Sequence, residues 1–388
     1  MTLHEADWRH GGFGLYVHWP FCAAKCPYCD FNSHVSASVD QARWARALSA
    51  EIARQAEELP GRHLDSIFFG GGTPSLMLPE TVDTVLRAAR AAWGFGNSIE
   101  ITLEANPTSV EKERFRGFAD AGVNRLSMGI QALRDPDLRQ LGRMHDVAEA
   151  RAAFDVAREV FDRISFDLIY ARQGQSRAAW QAELREALEM AADHLSLYQL
   201  TVEPGTAFGR RAAAGTLRDL PDEDVAADMY ADTQAICAEA GLGGYEISNH
   251  ARPGSESRHN LIYWRQGDWA AVGPGAHGRL TLPHGRVATE THLTPGAWLD
   301  AVERKGTGES LRTLLPGDEQ ATEYLLMGMR LAEGIDTARF ERLAGHALDT
   351  GAIRHLTELG LVVSDGGRLR ASEAGRPLLN AILRELAA

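Results

Sequence analysis

Between residues 14 and 200, six short apolar runs alternate with helical stretches, and this alternation constrains the fold more than any other feature of the chain. The runs fall at 15–17, 66–69, 99–103, 124–128, 164–169 and 194–200; the helical stretches lie near 40–58, 80–92, 110–121, 147–160 and 177–192. Strands alternating with helices imply a parallel sheet joined by right-handed crossovers. Eight such units close a full barrel. Six predict an α/β fold of the partial (β/α)6, TIM-like kind, curved and open.

Beyond the sixth run the pattern changes. A long helix is expected over 222–240, then irregular structure with short strands over 241–278, a segment rich in Gly, His and aromatic residues. Residues 295–315 read as a connection. After Gly317 come helices, a short hairpin turning at Asp365-Gly366-Gly367, and a last helix. That order is winged-helix-like. The expected division is therefore 1–220 for the partial barrel, 221–310 for an extension and 311–388 for the C-terminal module.

Charge excludes one class of partner. The chain has 53 acidic against 40 basic residues, a net charge of −13, which repels a phosphate backbone, so nucleic acid is not expected. The acids in the C-terminal module favour a packing lid or interaction surface over DNA binding. The first residues are polar and acidic, with no basic start leading into an apolar run. No window approaches 18 unbroken apolar residues, so no membrane span is expected, while contact with a membrane surface stays open. Three of the four cysteines lie within eight residues, a clustering that points to metal in a reducing cytoplasm rather than to disulfides. The fourth, Cys237, sits in an apolar helical run and reads as a small buried residue.

The cluster is Cys22-Ala-Ala-Lys-Cys26-Pro-Tyr-Cys29. Iron–sulfur clusters are held by cysteine thiolates, usually four. Three leave one iron without a protein ligand, open to a chelating small molecule. Structural zinc would need a fourth ligand, for which His34 is the candidate. Other marked residues fall at the carboxyl ends of the predicted strands, where barrels place ligands. Gly70-Gly71-Gly72-Thr73-Pro74 follows the second strand, and its glycines let a backbone approach a ligand closely. Glu104 ends the third, either to bond a ligand or to cap the next helix.

Tyr16-Val17-His18-Trp19-Pro20-Phe21-Cys22, running into Cys29-Asp30-Phe31, resembles the radical SAM superfamily. It resembles most the branch that holds the oxygen-independent coproporphyrinogen III oxidases and the HemW-type haem chaperones. The resemblance implies a [4Fe–4S] cluster on Cys22, Cys26 and Cys29, with S-adenosylmethionine (SAM) chelating the open iron. It implies that the run containing Gly71, Gly72 and Thr73 holds the SAM amino group. It further implies that Glu104, Gln131, Arg143 and Asp167 line the SAM region, with Tyr16, Tyr28 and Thr201 as additional contacts. Some members seat a second SAM. One loop departs from the pattern: relatives follow Asp-Leu-Ile-Tyr with Gly-Leu-Pro-Gly-Gln, whereas this chain has Ala171-Arg172-Gln173-Gly174-Gln175.

Arg258-His259-Asn260-Leu261-Ile262-Tyr263-Trp264-Arg265 is the second distinctive stretch. Histidine is a common axial ligand of haem iron, Tyr and Trp offer flat apolar area, and Arg258, Arg265 and Arg279 are candidate partners for propionates. The plainer reading is a buried, hydrogen-bonded His in an aromatic cluster. Because His-Asn-x-x-Tyr-Trp resembles the haem motif of HemW-type chaperones, the resemblance implies haem at His259, Tyr263 and Trp264. Gly273-Pro274-Gly275-Ala276-His277-Gly278 also resembles their pattern and makes His277 a second candidate ligand.

The expected function is that of a haem chaperone, binding haem and passing it to a respiratory acceptor protein. The alternative is a coproporphyrinogen III oxidase that cleaves SAM reductively and abstracts hydrogen from propionate side chains; a third reading is a non-catalytic iron–sulfur or zinc interaction protein. The oxidases carry one more cysteine where this chain has Phe31, and they lack the His-Asn-x-x-Tyr-Trp segment. Whether the chain is an enzyme is left open by this reasoning, though not as that oxidase.

Overall fold

The computed structural model describes residues 3–108, 113–191 and 193–387. The first apolar run forms β1 (Phe13–Trp19), buried along both faces as a strand inside a parallel sheet must be. It leads into two short pieces, β2 (Phe21–Cys22) and β3 (His34–Val35), which pair beside the cysteine loop. Then strands and helices alternate: α1 (Gln41–Glu58), β4 (Ser66–Gly71), α2 (Pro79–Trp93), β5 (Glu100–Ala105), α3 (Phe115–Ala121) and β6 (Arg125–Gln131). The series continues with α4 (Asp135–Gln140), α5 (Val147–Val160), β7 (Arg163–Tyr170), α6 (Arg177–Met190) and β8 (His194–Gln199). The helices start where side chains cap them: Asp40 accepts from the Arg43 N–H, and Asp146 and Glu149 form a capping box. The expected start of α3, at 110–112, lies outside the described residues.

All six expected strands are present and pair in parallel in the order β1-β4-β5-β6-β7-β8. The sheet does not close. After α7 (Ala207–Ala213) and α8 (Glu223–Glu239) come β9 (Gly243–Gly244) and β10 (Asn249–Ala251), which extend it antiparallel beyond β8.

Two stretches differ from expectation. Within 241–278 the chain forms α9 (Arg258–Trp264) and then β11 (Asp268–Val272), which is a seventh parallel strand. β11 lies on the free side of β1, from Phe13↔Asp268 to Val17↔Val272. β12 (His277–Leu282) and β13 (Gly285–Thr291) follow as an antiparallel hairpin. The presumed connection over 295–315 contains α10 (Pro295–Lys305) and β14 (Glu309–Leu314). The Trp298 ring of α10 stacks on Trp44 of α1 at 5.1 Å, so this helix belongs to the main core.

The C-terminal module consists of α11 (Gly317–Gly328), β15 (Ile335–Asp336), α12 (Thr337–Ala344), α13 (Thr350–Glu358), β16 (Val362–Asp365), β17 (Arg368–Ala371) and α14 (Leu379–Leu386). These four helices and a small antiparallel sheet, β15-β17-β16, enclose a separate apolar core around Leu325, Ile335, Leu369 and Ile382.

Candidate functional site

The cysteine loop follows β1 at the carboxyl ends of the strands. Cys22, Cys26 and Cys29 line one cavity of about 440 Å³ together with Gly71, Gly72, Thr73, Glu104, Gln131, Arg143, Asp167, Thr201 and Tyr28. Twelve of the sixteen residues assigned from sequence thus meet in one place. Tyr16 sits just beneath, in a second cavity described below.

The glycine run braces the loop. The N–H of Gly72 donates to the Trp19 carbonyl at 2.7 Å and that of Thr73 to the Phe21 carbonyl at 2.8 Å. The Thr73 hydroxyl donates to the Cys22 sulfur at 3.4 Å. Gly71 has a φ of 112°, and a Cβ there would meet the His18 ring at 2.6 Å; a Cβ on Gly72 would meet the Phe21 carbonyl oxygen at 2.7 Å. Both positions therefore require glycine. Arg143 ties the loop to two strand ends. Its guanidinium donates to the Cys26 sulfur at 3.4 Å, to the Asn106 amide oxygen at 2.5 Å and to the Gly129 carbonyl at 2.8 Å, while its buried Nε–H has no partner among the described residues. β6 breaks register between Met128 and Gln131, and Gln131 is left at a φ of 72°. A bulge with a non-glycine residue in this conformation stores roughly 1–2 kcal/mol, the kind of strain that collects where a side chain must be aimed.

Glu104 on β5 and Asp167 on β7 line the same cavity. Both border cavity space yet are enclosed by protein. Burial, then the charge of Asp167, pushes Glu104 up to about 8, against one hydrogen bond from the Gly71 N–H. Burial pushes Asp167 up to about 6, against hydrogen bonds from Ser196 and Ser127. One carboxyl of this pair is thus protonated near neutrality and ready to ionise beside a cation. Burial also pushes the Cys22 and Cys29 thiols up, so a metal cation is what would complete their deprotonation.

These residues fit the group that the sequence implies. A [4Fe–4S] cluster takes one thiolate per iron, so its ligands ring a space instead of meeting at a point. Among the described residues no three His, Cys, Asp or Glu side chains converge as a single ion would require, whereas the three thiols border a cavity large enough for a cluster and a ligand. His34, the fourth ligand of the zinc alternative, bonds the Asn32 amide oxygen through Nε2 at 3.2 Å.

The divergent loop after β7 has its own solution. Ala171 adopts a φ of 56°, in the left-handed region that favours glycine. Arg172 turns inward and is almost wholly buried. Its guanidinium pairs with Asp137 and Glu183, both at 2.6 Å, and donates to the Ile169 carbonyl at 2.5 Å. Glu183 also accepts from the Leu133 N–H at 2.6 Å and from Gln175 at 3.1 Å. A buried ion network here locks β7 to α4 and α6.

The second stretch lies at the other end of the sheet. His259, on α9, is 1% exposed. Its Nδ1 pairs with the hydroxyl of Ser66, the first residue of β4, at 2.8 Å, and its Nε2 with the Tyr263 hydroxyl at 2.7 Å. The N–H groups of Arg258 and His259 both donate to Glu100, the first residue of β5. The ring stacks on Phe68 at 5.0 Å, and burial depresses its pKa to about 3. It borders an inner polar cavity of about 200 Å³, which meets the upper one at Glu104, Ser127, Asp167 and Tyr198. That volume is below the roughly 300–1,000 Å³ of ordinary small-molecule sites. Tyr263 packs with His259, whereas Trp264 points the other way, under Arg330 of the C-terminal module. The three arginines are also engaged: Arg258 with the Ser98 carbonyl, Arg265 with Glu333 and Arg279 with Glu323.

Asn32 is one residue that sequence reasoning missed. Its side-chain amide donates to the carbonyls of Pro274 and Leu293, both at 2.9 Å. Those partners lie 242 and 261 positions away, so no local pattern signals them.

Residues 16–187 match the family model of the radical SAM superfamily, and residues 315–378 match that of the HemN C-terminal domain. The chain is 40% identical over 385 residues to radical S-adenosyl methionine domain-containing protein 1, mitochondrial, of Bos taurus, covering 96% of this chain and 86% of that protein. It is 36% identical over 382 residues to the heme chaperone HemW of Haemophilus influenzae, covering 95% and 96%. Among solved structures it superposes on coproporphyrinogen III oxidase (HemN) of Escherichia coli with a TM-score of 0.82 at 23% identity, covering 99% of this chain and 93% of that one. That last likeness is one of fold. No described helix is long and apolar enough to cross a membrane.

Proposed function

From the premise that this chain belongs to the radical SAM superfamily, in the family of the HemW haem chaperones, we propose that it binds haem and transfers it to an acceptor protein. The observation that carries this reading is the likeness to a named haem chaperone along 96% of that protein's length. In this reading Cys22, Cys26 and Cys29 hold the [4Fe–4S] cluster, and SAM completes its open iron. Bound there, the pair supplies one-electron chemistry. The chain's own residues do the rest. Arg143 and Thr73 orient the sulfurs of Cys26 and Cys22. Glu104 and Asp167 offer a carboxylate to a cationic ligand and can release or keep a proton there. Gln131, Tyr28 and Thr201 line the same space. The reading places the protein in a reducing compartment such as the cytoplasm, where thiols persist.

The test is a haem titration of the anaerobically reconstituted protein, followed by Soret absorbance, with coproporphyrinogen III consumption assayed in the same sample. Tight, stoichiometric haem binding without loss of the porphyrinogen is the expected result. SAM-dependent loss of the porphyrinogen with weak haem binding would overturn it in favour of an oxidase.

A further inference from the structure

We propose that the cleft between α8 and the C-terminal module is a carboxylate site anchored by Arg330 and Arg376, and that it holds the propionate edge of the cargo. The inference rests on the chaperone reading above and adds the groups that grip the acidic arms of haem.

The arginines that the sequence offers for that task are occupied elsewhere: Arg258 by the Ser98 carbonyl, Arg265 by Glu333 and Arg279 by Glu323. Arg330 and Arg376 are differently placed. Both line a cleft of about 380 Å³, within the range of small-molecule sites, which often lie where two units of a protein meet. Ala226 and Tyr230 of α8 line it from one unit, and Leu379, the first residue of α14, from the other. Ile247, just before β10, packs against the apolar core of the module and lines the same cleft.

The polar groups of this cleft lack an acceptor. Arg330, just past α11, lies over the Trp264 ring, 5.6 Å from its centroid, and among the described residues it forms no ion pair or hydrogen bond. A guanidinium stacked on a ring uses the face of its plane, which leaves the N–H edge for a ligand. Arg376 donates to the Glu246 carbonyl at 2.6 Å, while its buried Nε–H has no partner among the described residues. The Tyr230 hydroxyl is likewise buried without a partner. Buried donors are seldom left unpaired, so an oxyanion from outside would complete the set. Glu223, the single acid in the lining, is exposed and pairs with neither arginine. The cleft therefore keeps a positive charge on a chain whose net charge is −13.

Guanidinium forks match carboxylates, and Ala226, Ile247 and Leu379 match a hydrocarbon body. Haem joins the two, as a flat apolar ring with carboxylate arms on one edge. The surroundings agree with that cargo. Gln199, which ends β8, borders both this cleft and the cluster cavity, and Arg330 rests on Trp264 of α9. Binding here makes ion pairs and hydrogen bonds and changes no covalent bond.

The experiment titrates the full chain, with its cluster reconstituted, with haemin and with haemin dimethyl ester, in which both carboxylates are blocked, and follows Soret absorbance. The parent is expected to bind haemin at least about tenfold more tightly than the ester. Arg330→Gln and Arg376→Gln should each weaken haemin about tenfold and leave the ester affinity and the iron–sulfur absorption unchanged, and Arg330→Lys should recover part of the loss. Tyr230→Phe, which removes one hydroxyl and little packing, should show the same selectivity on a smaller scale. Equal affinity of the parent for haemin and ester, or variants that weaken both ligands alike, overturns the assignment while the chaperone reading survives. If inorganic phosphate raises the melting temperature of the parent but not of Arg330→Gln, while haemin and ester bind alike, the cleft is a phosphate site and the assignment fails as well. A parent that binds neither porphyrin refutes the chaperone reading itself. Octanoate, an apolar carboxylate, then reads the site alone: a melting temperature that it raises no more in the parent than in Arg330→Gln overturns the carboxylate site too.

Discussion

Arg172→Leu removes the buried guanidinium from the loop after β7, and it is expected to destabilise the protein. The guanidinium pairs with Glu183, whose side chain is 2% exposed, and with Asp137 at the loop's edge. Removing one partner of a buried ion pair costs about 3–5 kcal/mol, because the other charge stays behind unpaired. Glu183 retains two donors, the Leu133 N–H and the Gln175 amide, and hydrogen bonds to a charged group offset about 1.5–3 kcal/mol each. The expected loss is therefore at the low end, about 3 kcal/mol. Adding Glu183→Gln should recover about 1–2 kcal/mol, since it removes the stranded charge and keeps an acceptor for Leu133. Trp180 stacks on Tyr170 at 5.0 Å beside this loop, so its fluorescence reports the change during anaerobic urea denaturation. A loss below about 1 kcal/mol, or a double variant no more stable than the single one, would refute the argument that the buried charge is what holds the loop.

Three further outcomes can be checked. Ala171→Gly relieves a left-handed residue costing about 1–2 kcal/mol and adds unfolded-chain entropy worth about 0.5–1, so a net gain of about 0.5–1 kcal/mol in the same denaturation is expected; an unchanged midpoint counts against strain there. Glu104, pushed up to about 8, binds its proton more tightly folded than unfolded, so stability present below its ordinary pKa is lost as pH rises through 8. Glu51, pushed up to about 7 by burial, adds a fall of the same sign up to that pH, and below about pH 6.5 the buried His145, His250 and His259, held near 4, 4 and 3 by burial, pull the other way, so the clean window is 7 to 8. Glu104→Gln should flatten the fall of melting temperature across that window, and a slope equal to the parent's would remove Glu104 as its cause. Finally, Cys22→Ala, Cys26→Ala and Cys29→Ala should each abolish the iron–sulfur absorption after anaerobic reconstitution; retention of full iron and sulfide by any one would exclude it as a ligand.

The run of six parallel strands was legible because each is an apolar run flanked by a helix of ordinary length. β11 was not, since Asp268–Val272 is five residues long and lies among glycines and aromatics that read as loop. α10 left a signal that was passed over: Thr294 accepts from the Ala297 N–H and Pro295 stands at the first helical position, a standard helix start. β14 is an edge strand with most residues exposed, so no hydrophobic face declares it. At the site, spacing singled out the cysteines and strand-end position the glycines and Glu104, while Asp167 was assigned only through the family resemblance; all of them border one cavity. The neighbourhood of His259 was not legible. Its burial depends on Ser66 and Glu100, which are distant in sequence and carry no motif of their own. The inward turn of Arg172 likewise depends on Glu183, which on a helix wheel is one acid among several.

The position of β11 sets a timetable for the nascent chain. β1 is made first, and β4 covers one of its sides soon afterwards. The other side waits for a strand that ends about 250 residues later. At about 5–20 residues per second, translation leaves that row of amide and carbonyl groups without its partner for roughly 10–50 s. An unpaired strand carrying Phe13, Leu15 and Val17 is a site for wrong pairing with any extended chain nearby. The clamp made by Asn32 arrives even later, because Pro274 and Leu293 must first leave the ribosome. The cysteines are therefore exposed to iron donors and oxidants on a half-finished platform. How fast a cell translates residues 72 to 293 should govern how much of this protein becomes competent.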